Sequence, residues 1–132
     1  MKEAVEHAVA EITDAHSTDR VRAVPDGQGG AWVEVNGLDP GPLYLQDTTF
    51  LICLLPFNLP SADVYPMFVR PELARADGQP LGEGFQVTQL AWPGEPEARP
   101  MVQVSRRTRG QFTAQTPLQK IEKVLDWIRT RS

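Results

Sequence analysis

Phe50-Leu51-Ile52-Cys53-Leu54-Leu55, then Pro56-Phe57-Asn58-Leu59-Pro60-Ser61, and after Ala62 and Asp63 the segment Val64-Tyr65-Pro66-Met67-Phe68-Val69-Arg70-Pro71-Glu72-Leu73, form the stretch around which this chain is organised. The first six residues are apolar without a break and are bounded by turn residues. Such a run reads as a strand buried on both faces. The prolines at 56 and 60 make a stiff interval that no helix crosses. Tyr65-Pro66 then leads into Met67-Phe68-Val69, and Pro71 closes it. Proline fixes φ and removes a donor, so this second segment reads as an edge strand or an extended belt lying on the sheet.

On the N-terminal side, residues 1–16 carry Val5, Val9 and Ile12 with Ala4, Ala8 and Ala15 at helical spacing. Glu3, Glu6, Glu11 and Asp14 fall mostly outside that stripe, which is the pattern of an amphipathic helix. His7 and His16 lie nine residues apart and do not stack on one helix face, so they read as surface groups and not as metal ligands. Arg20–Val24 and Ala31–Val35 read as two short strands around Pro25-Asp26-Gly27-Gln28-Gly29-Gly30. The glycines there suit a hairpin turn. A phosphate loop is excluded, because no Gly-Lys-Ser/Thr and no helix follow. Residues 36–42, rich in glycine and proline, read as a further turn.

On the C-terminal side, residues 74–84 are polar, Phe85–Leu90 gives a weak strand pattern, and Trp92-Pro93-Gly94-Glu95-Pro96-Glu97 reads as a loop. Met101–Val104 is a short apolar strand candidate, and Ser105–Gly110 is a basic, hydroxyl-bearing turn. The closing helix has the clearest start signal. Thr116 is placed as N-cap, Pro117 at the first helical position and Gln119 where a capping box needs it. Leu118, Ile121, Val124, Leu125 and Ile128 form its apolar stripe, Trp127 flanks it, and Arg129 and Arg131 suit its C-terminal dipole. The order is therefore helix, three or four antiparallel strands, a long irregular loop, and helix. That is an α+β fold with helices packed on a meander.

At 132 residues the chain, 1–132, is a single domain large enough for a core without staples. Its apolar and charged content, 41% and 23%, excludes disorder. The longest apolar run is far short of the ~20 residues a membrane span needs, and the acidic N-terminus suits neither a signal nor a transit peptide. Cys53 is the single cysteine, which excludes an internal disulfide and a cysteine-based zinc site, so the cytoplasm is the expected compartment. Cys53 sits in the middle of the apolar run and reads as a small hydrophobe, not as a nucleophile. Net charge is −4, made of −7 in residues 1–66 and +3 in residues 67–132, which speaks against nucleic-acid binding.

The succession of buried strand, loop, Tyr65-Pro66-Met67-Phe68 and Pro71, then isolated Trp92, then Gln103-Val104-Ser105-Arg106-Arg107, then Thr116-Pro117-Leu118 opening a helix with Trp127, resembles the ubiquitin-conjugating (UBC-like) superfamily. It is most similar to the bacterial members of ubiquitin-like conjugation operons. The resemblance covers Phe50 to Ile128. It implies a UBC-like fold with N-terminal helix, antiparallel β-meander and C-terminal helix. It also implies a component of a ubiquitin-like conjugation pathway whose partners are a ubiquitin-like modifier and an activating enzyme, with no cofactor, metal, nucleic acid or membrane. The family's catalytic cysteine follows the Tyr-Pro strand. Here no cysteine follows Tyr65, and the family's His-Pro-Asn segment is missing.

Two expectations follow from the resemblance. In one, the modifier is taken as an oxyester on Ser105, with Arg106 and Arg107 stabilising the oxyanion and Arg109 helping to hold a carboxylate tail; Asp126, Glu122 or a partner's residue supplies the base. In the other, the domain is a catalytically inactive UBC/RWD-like adaptor. It then binds through exposed hydrophobics, Trp92 and Phe112, beside the basic turn.

Overall fold

A computed structural model describes residues 1–93, 95–110 and 115–131. The chain is α+β: helix α1 (Glu3–His16) precedes a six-stranded antiparallel sheet, and helix α2 (Pro117–Thr130) follows it. The strands are β1 (Val21–Pro25), β2 (Ala31–Leu38), β3 (Thr49–Leu55), β4 (Met67–Val69), β5 (Phe85–Leu90) and β6 (Arg99–Val104). Their order across the sheet is β1-β2-β3-β4-β6-β5, so the first four form a meander and the last two join it in reversed order.

The central run behaves as its composition dictates. Leu51, Cys53 and Leu55 face the main core, packed with Val5, Ala8 and Ile12 of α1 and Ile121, Val124, Leu125 and Ile128 of α2. Ile52 faces the other way, into a second cluster with Phe68, Leu90, Trp92 and Met101. β3 is therefore covered on both faces. Burial pushes the Cys53 thiol up to about 12.

Three expectations change. First, β4 is an interior strand, paired with β3 on one side and β6 on the other, and not an edge. Pro66 and Pro71 flank Met67–Val69 without entering it, so all three residues keep their donors. Second, β2 runs on to Leu38 through Asn36-Gly37, which reads as turn from sequence. The register shifts between Val35 and Leu38, and Gly37 takes φ +69°, so the glycine makes a bulge inside the strand. Third, where the sequence reads three or four strands and a long irregular loop, the sheet also takes up β5 and β6, and the polar segment before β5 is fastened. Ala76 N donates to Leu43 O and Leu45 N to Ala74 O, and Arg131 donates to the carbonyls of Leu81 and Glu83.

The closing helix starts as expected: Thr116 accepts from Gln119 N, and Gln119 in turn accepts from Thr116 N. Tyr44 Oη donates to Ile128 O at 2.7 Å, tying the β2–β3 connection to the far end of α2.

The face of the sheet away from the helices is closed by Trp92. Its ring is 1% exposed. Arg22 lies over it at 5.0 Å and Arg99 at 5.9 Å, and Arg99 also pairs with the buried Glu34 at 3.1 Å. Among the described residues, no helix is long and apolar enough to cross a membrane.

Two outcomes test this packing. Trp92→Ala should cost about 3–5 kcal/mol in a urea titration followed by circular dichroism, as expected for a large aromatic removed from a core; an unchanged midpoint would place Trp92 on the surface. Native protein at neutral pH should resist iodoacetamide at Cys53 and take up one equivalent only in denaturant, read by intact mass.

Candidate functional site

The candidate residues Ser105, Arg106, Arg107 and Arg109 leave the end of β6 as one loop. Ser105 N donates to Gly84 O at 2.7 Å, which keeps the start of the loop against the entry to β5. Gly84 has φ +89° there, and a Cβ on it would meet the Trp127 ring at 2.8 Å, so glycine is needed twice over. Ser105 Oγ accepts from Gln103 Nε2 at 3.1 Å. Among the described residues no carboxylate or imidazole is hydrogen-bonded to it. The hydroxyl is tethered but not activated.

The arginines are held differently. Arg106 lies over the Trp127 ring at 4.6 Å, and Arg107 over the Tyr65 ring at 4.2 Å. Trp127 is itself stacked on Phe85 at 5.2 Å and covered by Arg131 at 4.7 Å. Stacking attracts the guanidinium to the ring's negative face and leaves its N–H edge available. Arg106, Arg107, Arg109, Lys123, Asp126 and Trp127 line a cavity of about 350 Å³ between the loop and α2. Among the described residues, none of the three arginines has a carboxylate partner. Elsewhere in the chain, Arg70, Arg75 and Arg99 pair with Glu72, Asp77 and Glu34 at 2.7–3.1 Å.

A buried polar tie fixes this loop to the rest of the fold. Asp63 accepts from Thr108 N at 2.8 Å, from Thr108 Oγ1 at 2.7 Å and from Lys120 Nζ at 3.2 Å. Lys120 Nζ also donates to Thr108 Oγ1 at 2.7 Å, and so does Gln115 Nε2. The Lys120 side chain is 5% exposed and that of Asp63 17%. Burial pushes the Asp63 carboxyl up, but the bonds from Thr108 and Lys120 outweigh it and hold the group below its ordinary 3.8. Burial lowers the Lys120 ammonium, and Asp63 offsets only part of that. Thr108 Oγ1 donates once and accepts twice, so it is a fully used anchor and has no lone pair left for attack.

This tie escaped the sequence reading. Its one visible signal is Lys120 itself, a charge that shares the apolar face of α2 with Val124 and Ile128 at i, i+4 and i+8. Lys120 and Asp63 also end a second, mainly apolar cavity of about 280 Å³, between α1, residues 59–64 and the start of α2. Ala8, Pro60 and Val64 are among its lining residues.

The expected residues therefore divide. Ser105, Arg106, Arg107 and Arg109 come together. Trp92 does not join them: it is buried on the opposite side of the sheet, so it is core and not contact surface. Phe112 lies outside the described residues. Glu122 is exposed, and Asp126 lines the cavity with Arg129 at 3.8 Å; neither is bonded to Ser105. Among the described residues, no group of three His, Cys, Asp or Glu side chains could hold a metal ion.

The tie has a pH signature. The folded Asp63 carboxyl titrates below the unfolded one, so its contribution is complete above about pH 5 and is lost as pH falls through the folded value. Asp63→Asn should cost about 2 kcal/mol at pH 7, because it leaves Lys120 buried without its carboxylate. The gap between variant and wild type should narrow at pH 3, measured by urea denaturation at both. A gap independent of pH would remove the charge from the account.

No family model, no curated protein and no solved structure matches this chain.

Proposed function

We propose that this chain is a UBC-like component of a bacterial ubiquitin-like conjugation pathway that receives a ubiquitin-like modifier by non-covalent binding at the 105–109 loop. The element order and the Tyr65-Pro66 entry to β4 support the UBC-like reading. One observation favours binding over acyl transfer. The candidate hydroxyl, Ser105 Oγ, rests on the Gln103 amide without a base, whereas the arginines beside it are held in place and unneutralised among the described residues. A hydroxyl at its ordinary pKa is a poor nucleophile unless a base takes its proton.

The second reading is the oxyester carrier. It is favoured by the position of Ser105 at the head of the same loop as the three arginines. In that reaction Ser105 Oγ attacks the carbonyl carbon of the modifier's thioester on the activating enzyme, the C–S bond breaks and thiolate leaves. The hydroxyl proton passes to a base from the partner, while Arg106 and Arg107 face the oxyanion.

Intact-mass spectrometry after incubation with cognate activating enzyme, modifier and ATP separates the two. Binding predicts no modifier-sized gain in wild type or Ser105→Ala, with co-elution of the modifier retained in both. A gain that hydroxylamine removes and Ser105→Ala abolishes would establish the carrier instead. Absence of both gain and co-elution would sink the pathway reading.

A further inference from the structure

The basin between the 105–109 loop and α2 has the composition of an anion site. Among the described residues it gathers Arg106, Arg107, Arg109 and Lys123 against a single carboxylate, Asp126, in a protein of net charge −4. Two of the guanidiniums are held before any ligand arrives, over the Trp127 and Tyr65 rings at 4.6 and 4.2 Å. The loop that carries them is fastened from below by Thr108, with its hydroxyl and its backbone N–H both on Asp63. Ordering costs that normally oppose binding are thus already met by the fold.

We infer that this basin takes the free C-terminal carboxylate of a flexible peptide segment. The inference deepens the reading above and rests on it for the identity of that segment as a modifier's tail. Arginine forks match a planar carboxylate with two parallel N–H···O bonds, which is a stronger and more directional contact than a point charge makes. A basin of about 350 Å³ has room for a short extended segment. Val124 and the Trp127 ring give it an apolar wall, and Gln115 and Asp126 offer polar groups along it. The acidic balance of the whole chain opposes long polyanions, whose affinity comes from many phosphate contacts at once. A single terminal charge asks for no such field.

The test is a titration of the ¹⁵N-labelled full chain, followed by NMR, with acetyl-Ala-Leu-Gly-Gly as free acid and as C-terminal amide. The free acid should shift the Trp127 indole and the 106–109 amides, and the amide should bind about tenfold or more weakly. Acetyl-Glu-Leu-Gly-Gly amide, which has the same charge on a side chain, should fall with the amide. Arg106→Gln and Arg109→Gln should each weaken the acid about tenfold, while Arg75→Gln, at a guanidinium already paired with Asp77, should not. Equal shifts from acid and amide overturn the inference. So does equal binding of the glutamate peptide, or inorganic phosphate or a short oligonucleotide giving the same shifts at lower concentration. The acid–amide comparison uses wild type only, so a variant that misfolds leaves the test intact. Capture of a whole modifier with no preference for the free acid ends this inference and keeps the pathway reading. Acid-specific peptide binding without capture does the reverse.

Discussion

The constraint on which the rest depends is that β3 has no polar face. Leu51, Cys53 and Leu55 need cover on one side and Ile52 on the other, and the described residues offer two helices, α1 and α2. Both helices go to the first side. The second side is closed by the residues around Trp92, with Arg22 and Arg99 laid across the ring and Glu34 buried beneath Arg99. An arginine stack is a workable cover for an aromatic, because the guanidinium face is weakly hydrated while its edge still reaches water or a carboxylate. With both helices committed to one face, α2 comes to lie against the end of β6, and the loop leaving β6 must run along it.

That loop would be a loose basic segment without Asp63. Three donors from two distant parts of the chain meet on one small carboxylate, and Thr108 supplies two of them. The arrangement costs desolvation of Lys120, whose ammonium is displaced downward by burial. What is gained is position: with Thr108 fixed, Arg106 and Arg107 fall on opposite sides of the tie in sequence from Arg109, and two of the three find aromatic platforms. The buried pair is better understood as specifying where the loop sits than as a source of stability, since an apolar replacement of such pairs often matches them in free energy.

Local physics was legible in the sequence, and pairing over long separations was not. Thr116, Pro117 and Gln119 announce a helix start because a capping box is completed within four residues. The double-faced burial of β3 is written in six consecutive apolar residues. By contrast, Pro66 and Pro71 make Met67–Val69 read as an edge strand or an extended belt; only the sheet shows that they stop one residue short of the ladder on one side and two on the other. The adaptor expectation takes Trp92 as exposed, because its neighbours are Pro, Gly and Glu and nothing nearby reveals that a second apolar face is waiting for it. The Asp63–Thr108 and Asp63–Lys120 contacts span 45 and 57 residues, beyond any pattern of period two or 3.6. The basic loop was legible as charge, and its anchoring was not.

On the proposed reading, the charge state of the tail matters more to this basin than the identity of the tail. A thioester carbonyl is neutral until attack begins, and a free carboxylate carries its full charge at rest. On the proposed reading, guanidiniums already held over aromatic rings, and without a carboxylate partner among the described residues, favour the resting, hydrolysed end of a modifier over its activated form. Stabilisation made in the ground state does not accelerate a chemical step. To use the same arginines for catalysis, the chain would need a base at Ser105 Oγ so that negative charge appears only during attack. The Gln103 amide donates a hydrogen bond to Ser105 Oγ and takes no proton from it, so on the proposed reading the electrostatics of the loop and the hydrogen bonding of its hydroxyl both favour holding a tail over transferring one.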